Sequence, residues 1–213
     1  KDFHLTVRGY FTYARNRIMD QDEPDYAYTY MNRSGQMQYQ KFGLVAVGLF
    51  QDQEDIDSWT KQSFGEVKPG DIKYLDLNGD GIVDSYDTKP IGYSDIPEIV
   101  YGFGFSLQWK AFDLSAFFQG VAHVNFSTLT DQTQAFIGRN LKESSVFADL
   151  YGNTWTPENP GAKYPRMTTG AVDNNNQLST FWMADGRYLR LKNLELGYTL
   201  PKRIANKIAM QNL

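Results

Sequence analysis

The stretch DLNGDGIVDSYD, residues 76–87, concentrates oxygen donors at regular spacing. Compared with a twelve-residue calcium loop, Asp76 takes the first position, Asn78 the third and Asp80 the fifth. Gly81 supplies the sharp turn, Ile82 a backbone carbonyl and Val83 an apolar anchor, and Asp84 and Asp87 complete the set. Alternate side chains in such a tight coil converge on one point, which suits a hard cation. Asp87 stands where a bidentate Glu is usual, and its shorter reach lowers affinity. Without a cation, four carboxylates crowd together, and each close pair repels by roughly 1 kcal/mol even in a water-like dielectric. The sequence thus predicts calcium held by Asp76, Asn78, Asp80, Ile82, Asp84 and Asp87; the plain alternative is a solvated turn without metal. Pro69 and Gly70 before the loop, and Pro90 and Pro97 after it, exclude the helix pair of a calcium sensor. The expected role is a staple that offsets the ordering entropy of a long loop.

Other chemistry is sparse. There is no cysteine, so neither a disulfide framework nor a thiolate site is available. His4 and His123 are the only histidines; each reads as satisfied or solvated rather than as a catalytic base. No nucleophile–base motif, zinc spacing or phosphate-cradling loop is present, so the chain reads as a non-enzyme. A net charge of -4 without a basic stripe argues against nucleic acid. The loop aromatics Tyr26, Tyr28, Tyr30, Trp59, Trp155 and Tyr164 are candidates for facing a substrate or partner, with packing as the alternative. Tyr26, Tyr28 and Tyr30 alternate in DYAYTY, which predicts one face of a loop strand.

The elements that must carry these residues are strands. In YGFGFSLQWK, Tyr101, Phe103, Phe105, Leu107 and Trp109 share one face, with Gly102, Gly104, Ser106 and Gln108 opposite. FDLSAFFQG continues in the same way, which predicts a tight hairpin around Lys110–Phe112. DFHLTVRGYFTYAR repeats the pattern. In RYLRLKNLELGYTLP, Leu194, Leu196, Tyr198 and Leu200 are in phase, whereas Leu189 and Leu191 are not, which predicts a β-bulge near Lys192 or Asn193. KRIANKIAM reads as a short, helix-like turn. Two insertions, 19–98 and 122–185, hold most of the Pro, Asn and Asp. No window is long and apolar enough for a membrane helix, which leaves a transmembrane β-strand open. Long connections at one strand end and short turns at the other are how outer-membrane barrels are built. A soluble, calcium-stapled β-domain for carbohydrate binding or adhesion is the competing reading.

QKFGLVAVGLFQDQEDID, KPGDIKYLDLNGDGIVDSYDTKPIGYSDIPEIVYGFGFSLQWKAFDLSAFFQG, WTPENPGAKYPR and FWMADGRYLRLKNLELGYTLPK, in this order, resemble the C-terminal barrel region of SusC/RagA-type TonB-dependent outer-membrane transporters. The resemblance covers nearly the whole chain and implies an all-β fold. About four antiparallel strands of a partial transmembrane β-barrel would carry two long extracellular loops. It further implies an outer-membrane location, import of oligosaccharides or peptides, a SusD-like surface lipoprotein as partner, and drive from TonB through an N-terminal part. The turns at Lys110–Phe112 and after Pro201 would be periplasmic. With about four strands and no plug or signal peptide, residues 1–213 read as a piece of a larger barrel.

Overall fold

The computed structural model describes residues 3–129, 146, 148–201 and 204. The turn-like segment 202–210 apart from Ile204, and most of the connection around Phe136 to Leu150, lie outside the described residues. In chain order the strands are β1 (Phe3–Tyr13), β2 (Phe42–Gly43), β3 (Ala46–Leu49), β4 (Lys61–Gln62), β5 (Ile72–Tyr74), β6 (Ile82–Val83), β7 (Lys89–Pro90), β8 (Ile99–Trp109), β9 (Phe112–Ala122), β10 (Asn125–Ser127), β11 (Met183–Asp185) and β12 (Tyr188–Tyr198). One six-residue helix, α1, spans Gln53–Ser58.

The chain divides into two compact units: residues 1–15, 96–124 and 186–213 form one, and 16–95 with 125–185 the other. The first is a four-stranded antiparallel sheet in the order β1-β8-β9-β12. Each of its strands has 11 residues. That is the length of about 9–11 residues that a tilted strand needs to cross a bilayer. The hairpin between β8 and β9 turns on Lys110 and Ala111, with Lys110 at φ 56°. β12 shifts register between Leu191 and Asn193, leaving Lys192 as the extra residue. The bulge returns Leu194 and Leu196 to the face occupied by Leu189 and Leu191, and so resolves the phase break seen in the sequence.

Glycines on β8 make room for large rings. A Cβ at Gly102 would meet the Tyr10 ring at 2.6 Å, and one at Gly104 would meet the Phe117 ring at 2.6 Å. At the strand ends that lead into the insertions, Glu98 is 5% exposed; it accepts from Arg15 Nε at 2.7 Å and pairs with His123 Nδ1 at 3.0 Å. Ala14 N–H donates to the Glu98 carbonyl at 2.8 Å, so one residue ties β1, β8 and β9 together.

The second unit is built from short pairs: β2-β7, β3-β5 and β10-β11 antiparallel, and β4-β6 parallel. Leu44, Leu49, Ile72, Tyr74, Val83, Trp155 and Trp182 form its core. The stretches 19–98 and 122–185, read from sequence as two separate loops, thus contribute to one folded unit with a shared interior.

Candidate functional site

The sheet has two chemically opposite faces. In register across it lie Val7, Phe105, Ala116 and Leu194, and one step along lie Leu5, Leu107, Leu114 and Leu196. On the edge strands these side chains are open to the surroundings, with Val7 72% exposed and Leu196 77%; on the inner strands Phe105, Leu107 and Leu114 are half-buried and Ala116 is buried between its neighbours. Aromatic residues close both ends of this face. Phe3, Trp109, Phe112 and Tyr198 stand in one row, with the Phe112 and Tyr198 rings 4.6 Å apart, and Tyr13 and Tyr101 stand toward the other end. The opposite face is mostly polar or small, with Tyr10 and Phe117 as the large exceptions: His4, Gln108 and Asp113 share a row, as do Thr6, Ser106, Ser115 and Glu195. There Ser115 Oγ lies 3.2 Å from Glu195, and Arg8 sits 5.0 Å over the Phe117 ring. His4 is exposed on this face, and His123 is held by Glu98. An apolar band capped by aromatics, with a polar reverse, is the signature of a strand between hydrocarbon and an aqueous interior.

In the second unit, the oxygen-rich loop is held by its own side chains. Asp76 accepts from Gly79 N–H at 2.7 Å and Gly81 N–H at 3.0 Å. Asn78 accepts from Asp80 N–H at 2.9 Å, and Asp80 accepts from Ile82 N–H at 2.9 Å. Asp84 caps the single turn Ser85–Asp87, accepting from Tyr86 N–H. Asp87 is fully buried and accepts from the N–H groups of Leu77 at 2.6 Å, Asn78 at 3.3 Å and Asp84 at 2.8 Å. Gly81 at φ 88° makes the turn that its position requires, and Val83 is fully buried as the anchor. The loop follows strand β5 and is not flanked by paired helices. Among the described residues, no group of three or more acidic, histidine or cysteine side chains is arranged as a metal cluster.

Tyr28 and Tyr30 do not lie along a strand. The chain turns instead into a 3-10 segment at Thr29–Met31, which stacks the two rings in parallel 5.3 Å apart. Alternation alone could not anticipate this, because among the described residues no strand pairs with Tyr26–Tyr30. Tyr86, from the oxygen-rich loop, meets Tyr28 edge-on, and Tyr30 OH donates to the Tyr86 carbonyl at 2.7 Å. Burial, then Asp87, Tyr28, Asp76 and Asp80, push the Tyr30 phenol up. Tyr26 lies half-buried before this turn.

The remaining predicted aromatics separate. Trp155 is a core residue, 8% exposed. Trp59 is half-buried; its indole N–H donates to the Tyr74 carbonyl at 2.8 Å and its ring lies 3.9 Å beneath Lys73 Nζ. Lys73 also pairs with Asp55. Burial alone would raise the Asp55 carboxyl, but the Lys73 ammonium and the Gln51 N–H hold it below the usual carboxylate range. Tyr164 OH donates to Asp149 at 2.6 Å.

Pattern reading missed the polar heart of this unit. Asp71 is fully buried and accepts from Arg166 Nε at 2.8 Å, Arg166 NH2 at 3.2 Å, Asn175 at 2.8 Å and Lys68 N–H at 2.8 Å. Side-chain amides serve the open backbone of β5: Asn175 accepts from Ile72 N–H, Asn174 donates to the Ile72 carbonyl, and Gln62 accepts from Tyr74 N–H. The asparagines of VDNNNQ are therefore structural partners of a strand about a hundred residues away (separations of 102 and 103).

No family model matches the chain. TonB-dependent receptor P26 of Formosa agariphila is 33% identical over 159 residues, covering 75% of this chain. TonB-dependent receptor P3 of the same organism is 29% identical over 188 residues, covering 87%. The chain spans only 15% and 17% of those two relatives. The RagAB peptide importer has a similar fold in its open-open state, at TM-score 0.61 and 19% identity over 96% of this chain and 21% of that one. Its closed-closed state gives 0.62 and 20% identity, over 96% and 22%. The four-stranded sheet is thus a transmembrane sector of an outer-membrane β-barrel. The chain belongs to the TonB-dependent receptors.

Proposed function

We propose that this chain forms part of the wall and the substrate-facing insertions of a TonB-dependent transporter. The intact protein would import oligosaccharides or peptides. A SusD-like lipoprotein is its partner at the surface, and TonB supplies drive through an N-terminal part. The observation that carries this reading is the register-matched apolar face, running across four strands of 11 residues, most exposed on β1 and β12, and closed at both ends by aromatics. A soluble β-domain would bury that face against a second layer. The peptide importer named among the structural relatives supports import as the activity. The long connections all leave from one end of the sheet, where Tyr13, Ile99 and Ala122 are in register, which supports their placement on the outer side. Single cysteines test this in the intact protein in outer membranes. At Val7, Phe105 and Leu196 they should react only with a lipid-soluble maleimide, and at Tyr151, which is 84% exposed, with a membrane-impermeant one. Impermeant labelling at Phe105 would refute the barrel sector.

Calcium at residues 76–87 belongs to the same proposal. The donor types suit a hard cation: exposed or half-buried Asp76, Asn78, Asp80 and Asp84, and the Ile82 carbonyl, follow a turn that Gly81 already makes, and carboxylate oxygens now accepting from backbone N–H groups would turn inward to ligate it. Asp87 serves the backbone, so its share in ligation requires one oxygen to turn away from an N–H group. Calorimetric titration of the intact protein with calcium should give a heat that Asp80→Ala abolishes; identical titrations for both would show that the turn binds no metal.

A further inference from the structure

The oxygen-rich loop carries the only Asn–Gly pair of the chain, Asn78–Gly79. An asparagine carboxamide is open to attack by the next backbone nitrogen, and glycine hinders that approach least because it has no Cβ. At Gly79 a Cβ would meet nothing within 4 Å, and φ is 75°. Asn78 is half-buried and residues 79–82 are exposed, so solvent reaches the bond. Yet the reacting groups are all engaged. Gly79 N–H donates to Asp76 Oδ1 at 2.7 Å, and Gly81 N–H donates to Asp76 Oδ2 at 3.0 Å. Asn78 Oδ1 accepts from Asp80 N–H at 2.9 Å, and Asn78 Nδ2 donates to Asp80 Oδ2 at 2.8 Å. Attack needs the Gly79 nitrogen free of its acceptor and the carboxamide free to turn onto it. The closed loop therefore opposes a reaction that its own sequence invites.

We infer that Asn78–Gly79 is a self-modification site, guarded by Asp76 while the loop is closed and converted to aspartate and isoaspartate when the loop opens. In the open loop the Gly79 nitrogen bonds to Asn78 Cγ, the Cγ–Nδ2 bond breaks, and the Gly79 proton leaves with Nδ2 as ammonia. A solvent water then opens the cyclic imide. Addition at Cγ gives aspartate; addition at the Asn78 main-chain carbon gives isoaspartate, which routes the backbone through an extra methylene. That longer chain no longer fits the present spacing, in which Asp87 accepts from the N–H groups of Leu77 and Asn78. Asp87 closes the turn that carries Tyr86 against Tyr28 and Tyr30. Isoaspartate thus makes opening one-way and frees the tyrosine pair.

The inference rests neither on import nor on calcium. The intact protein in detergent is incubated in mildly alkaline buffer with a chelator, beside a synthetic peptide of residues 74–89. After cleavage at lysine, mass spectrometry of fragment 74–89 scores the exchange of amide for carboxylate, and an isoaspartate-specific methyltransferase scores the rearranged product. The folded protein should convert at least about tenfold more slowly than the peptide. Asp76→Ala should recover most of that difference, Asp76→Asn less, and Asn78→Gln should remove the reaction. Hydrogen exchange separates loop opening from unfolding: in Asp76→Ala, Gly79 and Gly81 should exchange faster while Ile72 and Tyr74 keep their protection. Equal rates in protein and peptide, no conversion in either, or a rate indifferent to both Asp76 variants would overturn the guarded site. So would loss of protection at Ile72 and Tyr74 in both variants, since unfolding rather than Asp76 would then set the rate. Converted protein whose Met31 and Asn32 amides exchange as before would refute the release of the tyrosines.

Discussion

The two units of this chain solve the same problem in opposite ways. The sheet displays its large side chains: Phe11 is 70% exposed and Leu196 77%. The insert unit hides its own: Ile72 and Tyr74 are fully buried. In the sheet every strand is long and paired along nearly its whole length, with one bulge at Lys192, because in hydrocarbon no water can satisfy an open backbone. In the insert unit most strands have two or three residues, and amide side chains finish what the ladders leave open. The difference teaches that the solvent expected on each surface decides which architecture is stable. Regular pairing suffices where lipid supplies the apolar surroundings, whereas a wet unit must build its own interior.

The largest effect expected is on the insert unit. Asp71→Ala leaves Arg166 without its buried partner and should cost about 3–5 kcal/mol in that unit. Hydrogen exchange at Ile72 and Tyr74 should accelerate accordingly, while exchange in β8 and β9 stays slow. Acceleration in both units alike would mean that they unfold together, and the contrast would fail.

The next effect sharpens the two faces of the sheet. Phe105 lies near the middle of β8 on the apolar face, so Phe105→Arg should destabilise the membrane-inserted protein by about 2–4 kcal/mol. Ser106→Arg, one residue on and on the polar face, should cost much less. Denaturant unfolding of the intact protein from bilayers compares the two variants. Equal costs would remove the assignment of faces.

The smallest effect is local and depends on pH. The Ser34 hydroxyl, then the Arg33 N–H, hold the half-buried Glu23 carboxyl at about 2, well below its ordinary 4.5. The folded value is depressed, so the contribution is fully present above about 4.5 and is lost as pH falls through about 2. Amide protection of Arg33 and Ser34, whose N–H groups donate to Glu23 at 2.8 Å and 3.0 Å, should fade across that window. Glu23→Ala should flatten the profile. The sheet should keep its exchange pattern over the same range.

The strands of the sheet were legible from the chain alone because each carries its instruction locally. Period-2 alternation marks them, Lys110–Phe112 marks the hairpin, and the phase break at Leu189–Leu194 marks the bulge at Lys192. The oxygen-rich turn was legible for the same reason: Asp76 to Asp87 spans a few residues whose spacing fixes their geometry. Tertiary structure alone decided that two insertions share one core. Arg166 reaches Asp71 across 95 positions, and Tyr28 meets Tyr86 rather than a strand neighbour. No period records such pairings, because a buried ion pair and an amide-served strand are selected by what lies opposite in space, and residues between them along the chain leave no trace of it.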